Sequence, residues 1–448
     1  MIIRSISGVR GLTETHLTPK ESELYAESIH NMLQPGVIVI GMDSRPSGFA
    51  ILDAFVHRLS LLGRNVIVCG IVPTPTIQFM VESTEAVGGV IVTASHNPIE
   101  WNGLKFVGED GTFFSPAQCK TLFHTVDHLE TLTEVKSDSK PMVWTEKNAN
   151  QKHVIKILGL SCIDVKAIRK RHFKIVIDAV NGAGSEALPL LLESLGCEVI
   201  HLNCDGSGVF TRGAEPLPEN LKDLSAMILE EKADAGFAVD PDADRLALVD
   251  ENGNPLGEEY TLVIATDGYI KSTGRQETFV VNLSTSMALD KLAEEKGCKV
   301  KRSAVGEINV VNKMQAIGAN LGGEGNGGVI LKEAHLGRDS LVGAAMVLNR
   351  MAQSEEPLSA IKAQLPQFEI VKDKVSLKNV CVDTTLQQVQ EVFEHAEINT
   401  VDGLKFTWDD QWIHLRKSNT EPIMRIYAEA PTKLEAIKLV NKVKAIVN

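Results

Sequence analysis

Three carboxylates at alternate positions stand in the stretch AVDPDADRLALVD: Asp240, Asp242 and Asp244, separated by Pro241 and Ala243 and followed by Arg245. On an extended segment every second side chain faces the same way. Three oxygens therefore fall on one side, spaced for a single hard divalent cation. Magnesium takes carboxylate oxygens and keeps room for a phosphate oxygen, and Arg245 would balance or grip that phosphate. A solvated acidic turn is the alternative reading, but the loop lies between two apolar runs, where uncompensated like charges are costly. The glycine and terminal glutamate of an EF-hand loop are absent.

Three further stretches carry polar groups that could act on a ligand. In GGVIVTASHNPIEWNGLKF, the apolar run Val90–Val92 opens onto Thr93, Ala94, Ser95, His96, Asn97 and Pro98. Ser, Asn and Pro are ordinary turn residues, so a plain connection and a reactive hydroxyl at Ser95 are both open. A hydrolytic triad is disfavoured, because no GxSxG elbow is present. In LGGEGNGGVIL, glycines let the backbone approach a ligand closely, and Glu324 and Asn326 offer an acceptor and an amide suited to adjacent sugar hydroxyls. A simple Gly-rich turn fits as well, and the pattern is not a P-loop. In HLRKSNTEPIMRIY, Arg416, Ser418, Asn419, Thr420 and Arg425 gather at one turn. Guanidinium matches phosphate bidentately, and hydroxyls and amides complete its shell; a solvated hairpin tip is the competing reading.

Such loops need a rigid framework, and the patterning supplies one. Short β-branched runs, Gly/Asp/Asn turns and helical stretches recur in sequence: Val37–Ile40 before GMDSRPSG, Lys174–Asp178 before AVNGAG, Phe279–Leu283 before STSMALDKLAEEKG. Three such units imply three α/β domains with largely parallel sheets. The last part differs. Strand-like runs in TWDDQWIHLR and IMRIYAEA precede a helix over 432–447 with apolar residues at Leu434, Ile437, Val440, Val443 and Ile446, which reads as a small α+β domain. The polar stretch Thr131–Asn150 is expected to be the first linker. A length of 448 residues supports several domains, at roughly 100–200 residues each.

A net charge of -13 argues against a nucleic-acid partner, because phosphate backbones select basic surfaces. Seven single cysteines without a CxxC suit a reducing compartment. The start MIIRSISGVRG lacks an apolar signal region and no apolar run reaches membrane-spanning length, so the expectation is a cytoplasmic protein with no membrane partner.

Taken in this order, the four loops resemble those of the α-D-phosphohexomutases. That family uses TASHNP as its phosphoserine loop, a DGDADR-type loop for magnesium, a GExSG-type loop for the sugar and an RxSGTEP-type loop for substrate phosphate. Here they stand as Thr93–Pro98, Asp240–Arg245, Gly323–Gly327 and Arg416–Pro422. The resemblance spans essentially the whole chain. It implies an α/β fold with four domains around a central cleft: three similar α/β mixed-sheet domains over 1–145, 146–252 and 253–366, and a C-terminal α+β domain over 367–448.

It also implies a reversible phosphoryl transfer between the 1- and 6-positions of a hexose phosphate. Phosphorylated Ser95 would pass through a bisphosphorylated sugar, Mg2+ would sit on Ser95, Asp240, Asp242 and Asp244, and a hexose 1,6-bisphosphate would prime the serine. Lys105 resembles the family's general base, His96 would assist orientation or proton transfer, and Arg10 matches the active-site arginine. Glu324 and Asn326 would grip sugar hydroxyls, while Arg416, Ser418, Asn419, Thr420 and Arg425 would hold the phosphate that does not react.

Five positions depart from the family pattern. Pro241 replaces a Gly, Asn419 replaces the Gly of Ser-Gly-Thr, Gly328 stands where a His is common, and Ser5 and Ile6 replace Gly-Thr. The length resembles bacterial phosphoglucosamine mutases, and the sugar and phosphate loops resemble phosphomannomutase/phosphoglucomutase relatives. Glucosamine phosphate is the expected substrate, with mannose or glucose phosphate as the alternative. A phosphoserine-dependent sugar phosphatase or an inactive sugar-phosphate binder is the reading from another class. The oligomeric expectation is a monomer or homodimer.

Overall fold

Near-continuous apolar runs make the strands, and this computed structural model describes residues 2–129, 131–133, 141–377, 388–393, 395–417 and 423–447. The chain folds as two units: Met1–Gly274 with Asn326–Lys362, and Arg275–Gly325 with Ala363–Asn448.

The first unit begins with β1 (Ile3–Ser5), β2 (Gly8–Leu12), α1 (Pro19–Met32), β3 (Val37–Met42), α2 (Gly48–Leu61), β4 (Val66–Ile71), α3 (Thr74–Glu82), β5 (Ala86–Val92), β6 (Trp101–Gly108), α4 (Pro116–Asp127) and β7 (Val143–Thr145). The strands form one sheet in the order β1-β2-β6-β5-β3-β4-β7. β3 pairs in parallel with β4 and β5, whereas β6 runs antiparallel to both β5 and β2. The run VIVIGM of β3 is buried because helices cover both faces of the sheet. Tyr25, Ile29, Phe55, Leu59, Phe106 and Leu122 pack on one side; Ile67, Ile77, Met80, Val81 and Ile91 pack on the other. Helix α4 starts on a capping box: Gln118 N donates to Ser115 Oγ at 3.3 Å, Ser115 N donates to Gln118 Oε1 at 2.8 Å, and Pro116 opens the first turn.

Next come α5 (Ala149–Leu158), α6 (Val165–Arg171), β8 (Lys174–Asp178), α7 (Gly184–Ser194), β9 (Glu198–Leu202), α8 (Lys222–Glu231), β10 (Ala235–Val239), β11 (Leu246–Asp250) and α9 (Glu258–Thr273). Their sheet has the order β11-β10-β8-β9, with only β11 antiparallel.

The second unit opens with β12 (Thr278–Asn282), α10 (Ala288–Glu295), β13 (Lys299–Ser303), α11 (Glu307–Ile317) and β14 (Leu321–Glu324), where β12 pairs in parallel with β13 and β14. The chain then returns to the first unit through β15 (Gly328–Leu331) and α12 (Ser340–Ala352). Helix α12 is apolar nearly all round and buried from Ser340 to Met351, packed on α9 and α6. The remainder, β16 (Glu369–Ser376), β17 (Glu397–Asn399), β18 (Leu404–Thr407), β19 (Trp412–Lys417), β20 (Ile423–Ala430) and α13 (Lys433–Val447), forms an antiparallel sheet in the order β16-β20-β19-β18-β17. Leu439, Val440 and Val443 of α13 join its core.

The sheets are mixed, as expected of the α/β domains: parallel pairings of β3, β4 and β5, of β8, β9 and β10 and of β12, β13 and β14 are joined by β6 and β11, which fold straight back along β5 and β10. One expectation needs correction. The stretch Thr131–Asn150 is not only a linker: β7 within it pairs in parallel with β4, and α5 begins at Ala149. Burial pushes the thiols of Cys69, Cys162 and Cys197 up to about 12, so they stay protonated and inert. No helix among the described residues is long and apolar enough to cross a membrane.

Candidate active site

Both chemistry-bearing loops of the first unit are the connections at which a strand reverses. The link from β5 to β6 carries Ser95 and His96; the link from β10 to β11 carries the three aspartates. Each leaves the carboxyl end of a strand with parallel neighbours, where ligands of open α/β sheets bind. Register pairs Ile91 with Lys105, which places the lysine on the strand returning from the serine loop.

Ser95 is 2% exposed and has φ +51, a left-handed value that a non-glycine residue seldom adopts. Such strain, about 1–3 kcal/mol, persists only where the surroundings impose it. Here the imposing group is Arg45, a fully buried residue just after β3. Its Nη2 donates to the carbonyls of Ser95 and Asn97, both at 2.6 Å. Its Nη1 donates to those of Pro98 at 2.5 Å and Trp101 at 3.0 Å. Its Nε donates to Asp43 Oδ2 at 3.0 Å. All five donors of the guanidinium are thus spent on one loop and its anchor. Asp43 Oδ2 also accepts from Thr93 Oγ1 at 2.6 Å, and Thr93 Oγ1 accepts from Ser95 N at 2.8 Å. The Phe210 ring lies 4.9 Å from the guanidinium carbon.

The aspartates converge, but on a turn rather than on an extended segment: Ala243 N donates to the Asp240 carbonyl at 3.0 Å, and Asp240, Asp242 and Asp244 are buried with ligand atoms within 4.8 Å of one another. Ser95 Oγ donates to Asp240 Oδ2 at 3.4 Å. Lys105 Nζ donates to Asp242 Oδ2 at 2.6 Å and Asp244 Oδ2 at 3.3 Å. Thr74 Oγ1 donates to Asp242 Oδ2 at 2.7 Å, and Arg338 Nη2 to Asp244 Oδ2 at 2.7 Å. The remaining oxygens, Asp242 Oδ1 and Asp244 Oδ1, are buried without a hydrogen-bond partner. Orphaned carboxylate oxygens at such a point fit a hard divalent cation. The loop itself is held by Ser340 Oγ donating to the Ala243 carbonyl at 2.6 Å and Leu246 N to that of Gly327 at 3.0 Å. Ala243 shares the left-handed conformation, with φ +51.

Electrostatics follow from this crowding. Burial, then Asp244 and Asp242, push the Asp240 carboxyl well above the usual carboxylate range. Burial works against the charge on Asp242 too, but Lys105, Thr74 and Arg338 more than reverse that and hold it far below the range. Burial lowers Lys105, yet Asp242 and Asp244 prevail and raise it, so the side chain stands as an ammonium. Burial, with Arg245 and Arg10, pushes His96 down to about 2. Its neutral ring receives Arg245 Nη2 on Nδ1 at 3.3 Å, which makes Nδ1 an acceptor 3.3 Å from Ser95 Oγ and leaves the proton on Nε2, 3.8 Å from Glu215 Oε1. Arg245 Nη1 donates to Glu215 Oε1 at 2.9 Å, and Arg10 Nη1 to Asn97 Oδ1 at 2.6 Å.

Of the sequence candidates, Ser95, His96, Lys105, Arg10, Arg245 and the three aspartates therefore come together in the first unit. Asn326 also lies there, with Oδ1 buried and without a hydrogen-bond partner. Glu324 lies in the second unit, where its Oε1 accepts from Asn282 Nδ2 at 2.7 Å and Gly306 N at 2.9 Å. Arg416 and Arg425 face each other across β19 and β20; Arg416 Nε pairs with Asp402 Oδ2 at 2.9 Å, and Arg425 is exposed. Two cations in direct register disfavour each other unless an anion joins them. Ser418, Asn419 and Thr420 lie outside the described residues. Sequence reasoning missed Asp43, Arg45 and Arg338. A buried-pair signal existed in DSR, an acid two residues before a base at a strand end, but nothing local tells which carbonyls an arginine gathers.

Four family models match in order: phosphoglucomutase/phosphomannomutase α/β/α domain I over residues 2–132, domain II over 151–253, domain III over 257–368 and the C-terminal domain over 374–446. A phosphoglucomutase/phosphomannomutase of Thermococcus kodakarensis is 35% identical, covering 96% of this chain and 94% of its own. A phosphoglucosamine/phosphogalactosamine mutase of Sulfurisphaera tokodaii is 30% identical, covering 98% of each. The crystal structure of a phosphoglucomutase/phosphomannomutase family protein from Burkholderia thailandensis superposes with a TM-score of 0.84 at 24% identity, over 99% of this chain and 97% of that one, a likeness of fold.

Proposed function

The chain belongs to the phosphoglucomutase/phosphomannomutase family, and we propose that it is a phosphohexomutase, moving a phosphoryl group reversibly between the 1- and 6-hydroxyls of a hexose phosphate. One observation carries the reading: the strained, nearly buried Ser95 presents Oγ to Asp240 within a three-carboxylate cluster that is ringed by Lys105, Arg245 and Arg338.

In the first half-reaction phosphorylated Ser95 gives its phosphoryl group to the free sugar hydroxyl, whose oxygen bonds to phosphorus as the bond from phosphorus to Oγ breaks. In the second, Ser95 Oγ takes the other phosphoryl group from the resulting bisphosphate. Asp240, Asp242 and Asp244, with an oxygen on Ser95, would hold Mg2+, which when bound supplies charge neutralisation for the transferring group. Burial of Ser95 keeps water from the phosphoester. Arg245, fixed by Glu215, lends positive charge beside Ser95, and Arg10 orients Asn97 of the same loop. The proton of the attacking hydroxyl is assigned to Lys105 once it has lost its own, with neutral His96 Nδ1 as the other acceptor near Oγ. Glu324 and Asn326 are assigned to sugar hydroxyls. Arg416 and Arg425, with Ser418, Asn419 and Thr420, are assigned to the phosphate that does not transfer. A hexose 1,6-bisphosphate would prime Ser95.

Glucosamine phosphate is the proposed substrate, a choice that the amino-sugar name of the Sulfurisphaera relative supports. Glucose or mannose phosphate is the second reading, favoured by the name of the Thermococcus relative. Phosphorus NMR with Mg2+, a trace of hexose bisphosphate and the 6-phosphates of glucosamine, glucose and mannose in parallel tests both. Growth of a sugar 1-phosphate signal is expected, fastest for glucosamine. Inorganic phosphate alone would convert the reading to a phosphatase, and no change with any sugar would leave a binding protein.

A further inference from the structure

A second set of metal-ligating side chains lies apart from the serine and its carboxylates. His153 on α5, His335 after β15 and Asp339 at the head of α12 bring ligand atoms within 4.8 Å of one another, each at most 1% exposed. His153 Nε2 stands 2.9 Å and His335 Nε2 3.1 Å from the same oxygen, Asp339 Oδ2. Two neighbouring ligands of one transition-metal ion, each about 2.1 Å from it, are about 3.0–3.4 Å apart, so a shared ion would need only a slight spreading of these groups.

Hydrogen bonding alone leaves this cluster incomplete. His335 Nε2 bonds Asp339 Oδ2, but His153 Nε2, 2.9 Å from the same oxygen, is poorly aligned for a hydrogen bond to it, and His335 Nδ1 has no hydrogen-bond partner. Fully buried polar atoms are rarely left so. Thr76 Oγ1 lies 3.0 Å from His153 Nδ1. With Nδ1–H donated to that hydroxyl, the bare Nε2 lone pair faces the carboxylate, the arrangement an outer hydrogen bond imposes on a metal-bound imidazole. Asp339 Oδ1 is separately satisfied by Leu341 N at 2.8 Å, which leaves Oδ2 for the cluster.

We propose that His153, His335 and Asp339 form a structural site for one divalent transition-metal ion of the zinc class. Two imidazoles and one carboxylate favour such an ion over magnesium, which prefers oxygen. The ion would tie α5 to the segment that carries Arg338, the donor to Asp244, and so brace the aspartate loop from behind. Sealed on all sides, it would enter as the chain folds.

Metal analysis of the purified full-length protein, dialysed against excess Mg2+, tests this. About one zinc per chain is expected in the wild type and in Asp240→Asn, none in His335→Gln, and affinity about 10–100-fold weaker in Thr76→Val. Should His335→Gln fail to fold, the wild type refolded with Co2+ decides alone, by visible bands of a nitrogen-ligated cobalt ion. Absence of bound metal together with no change in melting temperature after refolding with Zn2+ or Co2+ overturns the proposal. So does metal that disappears in Asp240→Asn, or that persists in folded His335→Gln.

Discussion

Replacing Arg45 by lysine keeps a positive charge beside Asp43 but reduces five donors to at most three. At least two of its five acceptors, the carbonyls of Ser95, Asn97, Pro98 and Trp101 and the Asp43 carboxylate, then lose that donor. Each buried acceptor left unpaired costs about 1–3 kcal/mol, so the loop loses about 2–6 kcal/mol of support. That loss falls on a conformation that already carries strain at Ser95. If about 3 kcal/mol of it acts on the loop alone, the competent arrangement drops to about one molecule in 160. The expected result is kcat lower by about 100-fold with KM nearly unchanged, together with slower phosphorylation of Ser95 by hexose bisphosphate, in a protein that remains folded by circular dichroism. Turnover within threefold of wild type in folded Arg45→Lys would refute the assignment of Arg45 as the residue that positions the loop.

Three other outcomes follow from the charges. Asp240→Asn should abolish turnover yet raise the melting temperature of the chelator-treated protein, because it relieves a carboxyl that burial and its neighbours hold well above the usual range; differential scanning calorimetry reads the shift, and a lower melting temperature would count against it. His414, buried between Ser284 Oγ and the Asp402 carbonyl, is pushed from 6.5 down to about 4, chiefly by burial. Its unfolded form binds a proton below about 6.5 while the folded form does not until about 4, so stability is lost as pH falls through that window. At pH 4.5 the loss is about 2–3 kcal/mol, and His414→Gln should remove it from urea unfolding followed by tryptophan fluorescence; an unchanged pH dependence would contradict this. Glu215→Gln should weaken the hold on Arg245 and lower kcat several-fold with little effect on Mg2+ affinity, measured by activity against metal concentration; a large loss of Mg2+ affinity would place Glu215 among the ligands instead.

What the sequence made legible was local. The spacing of Asp240, Asp242 and Asp244 marked them as one cluster, although a turn with Ala243 in the left-handed region, not an extended loop, brings them together. The apolar run Val90–Val92 marked the strand that presents Ser95. Strand direction was not legible, because period-two and apolar-run signals are the same for a strand running either way, and so β6 and β11 were not seen to turn back. Lys105 could be named, but its charge depends on lying opposite Ile91 and between two aspartates more than 130 residues away. Arg45, Arg338 and the pairing of His153 with Asp339 rest on contacts between distant segments, which no window of sequence reveals. β7 was hidden because its three exposed residues make an edge strand in polar company.

The central claim is that Ser95 carries the phosphoryl group between the two ends of the sugar. Intact mass spectrometry after incubation with hexose 1,6-bisphosphate and Mg2+, followed by peptide mapping, tests it most directly. The account predicts one added phosphoryl group, located on Ser95, removed on addition of excess hexose 6-phosphate and never gained by Ser95→Ala. A modification on another residue, or turnover that persists in Ser95→Ala, would contradict it.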